Sequence, residues 1–104
     1  MRRNLRHIAT RRRPLDQGVL MVLFIDVHEH LPEGTTVRDV AAAHAADVAI
    51  QGDYGVTYQR YWVDEASHTA FCLVDAPDAD TAISVHREAH GLVPDRIYPV
   101  VEGD

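Results

Sequence analysis

Residues 56–91, VTYQRYWVDEASHTAFCLVDAPDADTAISVHREAHG, decide the fold of this chain. Aromatic and β-branched residues alternate over 56–63 and again over 68–75 with a short turn between them, which predicts a β-hairpin. Pro77-Asp78 then supplies a helix cap, apolar residues recur on one helical face, and Gly91 suits the position just after a helix end. The stretch therefore predicts two antiparallel strands followed by a helix.

The flanking segments complete this pattern. Residues 20–28, LMVLFIDVH, are apolar and β-branched without helical spacing, which predicts a first strand. Thr36 and Asp39 resemble a capping box at the start of a helix, and residues 96–101 predict a last short strand. The order β-α-β-β-α-β is the ferredoxin-like α+β fold, a four-stranded antiparallel sheet with both helices on one face.

Charge is distributed unevenly along the 104 residues. All six basic residues before Pro14 are arginines, whereas residues 14–104 carry four arginines against sixteen acids, a net charge of −12 within a total of −6. We expect an Arg-rich disordered extension over 1–18, unless translation begins at Met21, and one domain over 19–104. The acidic domain attracts cations and repels phosphate backbones, so we expect no nucleic-acid partner.

Two further features bear on where the protein works. The apolar run from Val19 to Ile25 is shorter than the about twenty residues that a membrane span requires, so we expect no membrane partner. The single Cys72 cannot form an internal disulfide, which is consistent with the cytoplasm. It lies in the apolar run AFCLV, where a cysteine usually behaves as a small buried hydrophobe, and we do not count it as a ligand.

The histidines carry the functional prediction. His28 and His30 end the first strand, where residues two apart point to one face about 6.5 Å apart. His86 and His90 lie one turn apart on the second helix, a spacing shared by helical zinc and nickel sites. The topology brings these four to one end of the molecule, and His44 of the first helix can reach the same region. We predict a divalent transition metal held by these five residues.

The sequence leaves the number of sites open. On the first strand Leu23, Ile25 and Val27 form a wholly apolar face, which is expected to meet the helices. His28 would then project from the opposite face, away from His86, and each chain would hold two sites instead of one. Asp26 is interpreted as a ligand, a carboxylate that orients His28, or a residue facing water.

Four stretches resemble a known family: FIDVHEH, AAHAADVAIQGDYGVTYQRYWVD, AFCLVDAPDA and SVHREAHGLVPDRI. They are similar to small actinobacterial nickel-binding proteins once classed as a domain of unknown function. The resemblance covers about Met21 to Val101. It implies a ferredoxin-like homodimer that binds nickel for sequestration or detoxification, with motif positions at His28, His44, His86 and His90 and, less securely, His30.

Three functions remain open at this point. Metal binding is the first, and the residues themselves do not choose between nickel, zinc, copper and cobalt. The second is a small cofactor-independent enzyme, resembling a monooxygenase or an isomerase, with Asp26, His28, His44 and Tyr58 as acid–base groups in a pocket at a sheet-to-sheet dimer. The third is an interaction module whose Arg-rich extension binds an acidic partner.

Overall fold

The structure is a computed structural model that describes residues 13–14 and 20–104. Most of the predicted extension, residues 1–12 and 15–18, lies outside the described residues. Within them Arg13 and Pro14 pair antiparallel with Met21 and Leu20. Four longer strands and two α-helices follow, with a 3₁₀ turn after the first helix: β1 Leu20–His28, α1 Val37–Ile50, 3₁₀ Gln51–Tyr54, β2 Thr57–Asp64, β3 Thr69–Ala76, α2 Ala79–Ala89 and β4 Arg96–Pro99.

The strands form one antiparallel sheet in the order β2-β3-β1-β4. This order and the two helices confirm the ferredoxin-like α+β prediction. In the β1–β3 register Asp26 lies opposite Cys72, and in the β1–β4 register it lies opposite Ile97. Asp26 is therefore at the centre of the sheet, with a strand on each side.

Local chemistry sets the helix ends. Thr36 and Asp39 form the predicted capping box at the start of α1. The Asp78 side chain accepts a hydrogen bond from the Thr81 backbone N–H at the start of α2. Gly91 has φ +82°, a left-handed conformation that ends α2 as predicted. None of the helices in the described part of the chain is long and apolar enough to cross a membrane.

The helices cover the mixed face of β1, which corrects the sequence-based expectation that Leu23, Ile25 and Val27 would meet them. Phe24 belongs to the core beneath the helices, and Asp26 and His28 follow it on the same face. The mixed face is buried because its polar side chains have partners on α1 and α2. The alternation of residues along one strand cannot predict such partners, because they lie on other elements. The apolar residues instead lie on the open face of the sheet.

The core consists of residues from β1, β2, β3 and α2 together with Val56. Its buried members are Phe24, Val56, Tyr58, Cys72, Val74, Ala76, Ala82 and Val85. These side chains form an apolar layer that ends at Asp26. From that point the interior becomes polar.

Candidate metal centre

His86 is the centre of a polar cluster between the sheet and the helices. It lies in the last turn of α2 and is 1% exposed. Its Nε2 is 2.9 Å from Asp26 Oδ2, and its Nδ1 is 2.9 Å from Asp47 Oδ1. One imidazole thus connects a carboxylate of the sheet to a carboxylate of α1.

His28 extends the cluster along β1. It is two residues after Asp26 and therefore shares the helix-facing side of the strand. Its Nε2 lies 3.2 Å from Asp26 Oδ1, and its ring meets the His86 ring edge-on with centroids 5.0 Å apart. The structure thus brings His28 to His86, and the arrangement with His28 on the opposite face of the sheet is excluded.

His90 completes the cluster on the side of α1. It is the residue that caps the C-terminal end of α2, and its side chain is 13% exposed. Its Nε2 lies 3.1 Å from both Asp47 Oδ1 and His86 Nδ1. Three potential ligand atoms therefore form a nearly equilateral triangle, and Asp47, His86 and His90 are called the outer triad below.

A backbone contact fixes the tautomer of neutral His90. The Leu92 N–H donates to His90 Nδ1 at 3.1 Å, so that nitrogen carries no hydrogen when the ring is neutral. The hydrogen of neutral His90 is then on Nε2, facing Asp47. A metal bound at Nε2 would displace this hydrogen, and the ring would have to take up a hydrogen at Nδ1 and release the Leu92 contact.

The buried charges stabilise one another. Burial opposes ionisation of Asp26, but its close contacts with the His28 and His86 rings lower its pKa to about 2. Burial also disfavours a charged His86, yet hydrogen bonds to Asp26 and Asp47 raise its pKa to about 9. The pKa of Asp47 is lowered against the effect of burial by His86 and His90. At neutral pH the metal-free cluster contains an imidazolium between two carboxylates.

Tyr58 and Cys72 border the cluster from the sheet. The Tyr58 hydroxyl is 3.1 Å from Asp26 Oδ2 and 2.9 Å from the Ala82 carbonyl oxygen. Burial and the neighbouring Asp26 raise the pKa of both the phenol and the Cys72 thiol well above their usual values. Both groups are therefore protonated at neutral pH in the metal-free protein.

A cavity of about 140 Å³ opens onto this cluster from the α1 side. His44 faces it, packs against Tyr61 with ring centroids 4.8 Å apart, and has a buried Nδ1 without a hydrogen-bond partner among the described residues. The lining contains the outer triad and His28, with apolar walls formed mainly by Leu31, Pro32, Val40, Ala43 and Leu92. A small solute can therefore approach the polar cluster from this side.

His30 is apart from the other predicted ligands. Strand β1 ends at His28, so the two-residue alternation does not continue to His30. Its side chain is 82% exposed, and Nδ1 lies 3.3 Å from Asp95 Oδ1. The structure thus brings together His28, His86 and His90, with His44 across the cavity, and leaves His30 at the surface.

Sequence reasoning missed Asp47 and undervalued Asp26. Asp47 is 2% exposed, although it lies in an Ala-rich helix in which no strongly apolar face marks the buried positions. An acid three residues after His44 on that helix was the available indication. The interpretation of Asp26 as a water-facing residue is wrong, because the side chain is fully buried and hydrogen-bonded to His86.

Comparison with known proteins identifies the family of this chain. A family model described as nickel responsive protein SCO4226-like matches residues 24–100. The crystal structure of SCO4226 from Streptomyces coelicolor A3(2) is similar to this chain at 35% identity and a TM-score of 0.73, covering 79% of this chain and 99% of that one. No curated protein sequence matches the chain. The resemblance carried by its motifs is confirmed: the chain belongs to the SCO4226-like family of nickel responsive proteins.

Proposed function

We propose that this protein binds a divalent transition metal ion, nickel in preference to others, at the outer triad. The supporting observation is the spacing of Asp47 Oδ1, His86 Nδ1 and His90 Nε2, which lie 2.9, 3.1 and 3.1 Å from one another. Adjacent ligands at right angles, each about 2.1 Å from an ion, are about 3.0 Å apart. Two imidazoles and one carboxylate, each about 3 Å from the other two, therefore fit three mutually adjacent positions on one face of an octahedral ion such as Ni²⁺.

The charge of the cluster also favours a divalent cation. Asp26 and Asp47 are both ionised, and His86 as an imidazolium balances only one of them. A divalent ion that displaces the His86 Nδ1 proton would neutralise both carboxylates. Asp26 would then accept the remaining His86 N–H, the carboxylate–histidine–metal arrangement that orients many metal ligands.

The role we propose is sequestration or homeostasis of nickel rather than catalysis. The family description, nickel responsive protein, supports the metal, and the acidic domain surface favours cations. The enzyme hypothesis needs Asp26, His28, His44 and Tyr58 in a pocket at a sheet-to-sheet dimer. Asp26, His28 and Tyr58 instead lie between the sheet and the helices, away from the open face of the sheet.

We propose that the protein forms a homodimer through the open face of its sheet. By register, Ile25 lies between Leu73 and Tyr98 on this face, and Val27 and Trp62 lie on either side of Phe71. Trp62 and Tyr98 are 49% and 47% exposed, a large apolar area for a free surface. A second copy of the same face would cover it.

The remaining expectations about partners and location are kept as proposals. The acidic domain favours neither nucleic acid nor an anionic membrane surface as a partner. We place the protein in the cytoplasm, where its buried free Cys72 thiol would stay reduced.

Isothermal titration of the metal-free protein with Ni²⁺ tests the function. His90→Ala removes one ligand from a partly exposed position and is expected to weaken nickel binding at least tenfold, about 1.4 kcal/mol. Asp47→Asn should have a similar effect because it removes the charge at nearly constant volume. His30→Ala is the matched control, an imidazole outside the cluster, and should bind nickel like the parent chain. Full nickel affinity in a folded His90→Ala variant would refute the outer triad.

A further inference from the structure

A second group of ligand atoms lies deeper in the molecule than the outer triad. Asp26, His28, Cys72 and His86, called the inner cluster, each place one ligand atom within 4.8 Å of the other three. All four residues are buried. Asp26 and Cys72 are directly opposite on β1 and β3, so their side chains leave the sheet on the same face.

One carboxylate oxygen of the inner cluster, Asp26 Oδ1, has no hydrogen-bond donor among the described residues, and a bound cation would take the place of that donor. Asp26 Oδ1 is completely buried and has no hydrogen-bond partner among residues 13–14 and 20–104. It lies 3.2 Å from His28 Nε2 without the alignment of a hydrogen bond. An unsatisfied carboxylate oxygen in the interior is costly, and a bound cation would satisfy it.

We propose that the inner cluster is a second metal site, which takes a thiophilic divalent ion such as Zn²⁺ or Co²⁺. Its donors are one carboxylate oxygen, two imidazole nitrogens and one sulfur, a set typical of four-coordinate zinc. Binding converts the Cys72 thiol to a thiolate and displaces the Nε2 proton of the His86 imidazolium: one S–H and one N–H bond break, metal–sulfur and metal–nitrogen bonds form, and both protons pass to the buffer. The sulfur distinguishes this site from the outer triad, whose donors are nitrogen and oxygen.

The two sites compete for His86. The outer triad uses Nδ1 and leaves the Nε2 hydrogen to Asp26, whereas the inner cluster uses Nε2 and leaves the Nδ1 hydrogen to Asp47. A neutral imidazole has one nitrogen free for a metal, so the two sites fill alternately, with one ion per chain. The proposal of an inner site does not depend on the outer triad being a metal site. Only the statement that the two sites cannot be filled together rests on the function proposed above.

Absorption spectroscopy with Co²⁺ tests the inner site, because a thiolate bound to Co²⁺ gives a charge-transfer band in the near ultraviolet. The sequence has one cysteine, so such a band reports Cys72 alone. The full-length, reduced, metal-free protein should develop the band on titration, reaching saturation at one Co²⁺ per chain. Absence of the band in the folded protein would overturn the inner site.

Matched variants separate the two sites. Cys72→Ser should abolish the band and still bind Ni²⁺ in calorimetry, whereas His90→Ala should keep the band and lose nickel affinity. Cys72→Ala repeats the test should the serine variant fail to fold by circular dichroism. A band that survives loss of the thiol, or that disappears in folded His90→Ala, would overturn the assignment. If the protein with the band present took up two Co²⁺ per chain, the claim that the two sites share His86 and hold one ion between them would be overturned.

Discussion

The two sides of strand β1 differ in a way opposite to their hydrophobicity. The helix-facing side carries Asp26 and His28, which are buried, whereas the open side carries Leu23 and Ile25, which are only half-buried. Burying charge is costly unless every charge has a partner, and here the partners come from α1 and α2. The helix-facing side of β1 therefore holds a cluster of charges beside the apolar core, and the open side is the surface that we propose a second copy of the chain covers.

The largest expected effect comes from removing the carboxylate at the centre of the buried face. Asp26→Ala leaves the His86 imidazolium with one carboxylate instead of two and removes the acceptor beside Tyr58. We expect the free energy of unfolding of the metal-free protein to fall by about 3–5 kcal/mol, measured by urea denaturation at fixed protein concentration. Asp95→Ala, which removes a surface carboxylate paired with His30, should cost under about 1 kcal/mol. If Asp26→Ala and Asp95→Ala lowered the free energy of unfolding equally, the buried cluster of charges would not stabilise the fold as we expect.

The pH dependence of stability should be the next largest effect. The pKa of His86 is raised from 6.5 to about 9, so its contribution is fully present below pH 6.5 and is lost as the pH rises through 9. The loss amounts to about 3 kcal/mol. Asp26 acts in the opposite range: its pKa is lowered from 3.8 to about 2, so its contribution is present above pH 3.8 and is lost as the pH falls through 2.

Urea unfolding of the metal-free protein between pH 5 and 10, with a chelator present, measures the alkaline limb. Asp47→Asn should reduce the fall in stability between pH 6.5 and 9, because one of the two carboxylates that hold the His86 proton is gone. A stability curve that is flat over this interval would mean that His86 is neutral in the folded protein.

The smallest effect on the fold of one chain should come from the open face. Trp62→Arg places a charge on the exposed apolar surface, so we expect the free energy of unfolding of the monomer to change by less than about 0.5 kcal/mol. The proposed homodimer should nevertheless dissociate, which would halve the mass in analytical ultracentrifugation. Val48→Arg, at a similarly exposed position on α1, is the control and should leave the mass unchanged. If Trp62→Arg sediments like the parent chain, the open face is not the interface.

Much of the fold could be predicted because its determinants are local. Strand β1 spans the predicted residues 20–28, and the capping residues of both helices act where the sequence places them. His86 and His90 could be identified because four-residue spacing on a helix brings side chains together whatever surrounds them.

The rest of the site depends on contacts between distant segments. Asp47 and Asp26 are joined only through His86, across α1, β1 and α2. No periodicity within α1 distinguishes a buried Asp47 from a solvated one, and the alternation in β1 indicates two faces without indicating which face the helices cover. His30 shows the converse, because its pairing with His28 assumed that the strand alternation continues to His30, whereas β1 ends at His28.

The most direct test of the account is X-ray diffraction from crystals of the nickel-loaded protein, recorded at the nickel absorption edge. We expect an anomalous peak within about 2.1 Å of Asp47 Oδ1, His86 Nδ1 and His90 Nε2, with the cavity on its open side. A nickel peak at His30, at the open face of the sheet or between Asp26 and Cys72, with none at the outer triad, would contradict it.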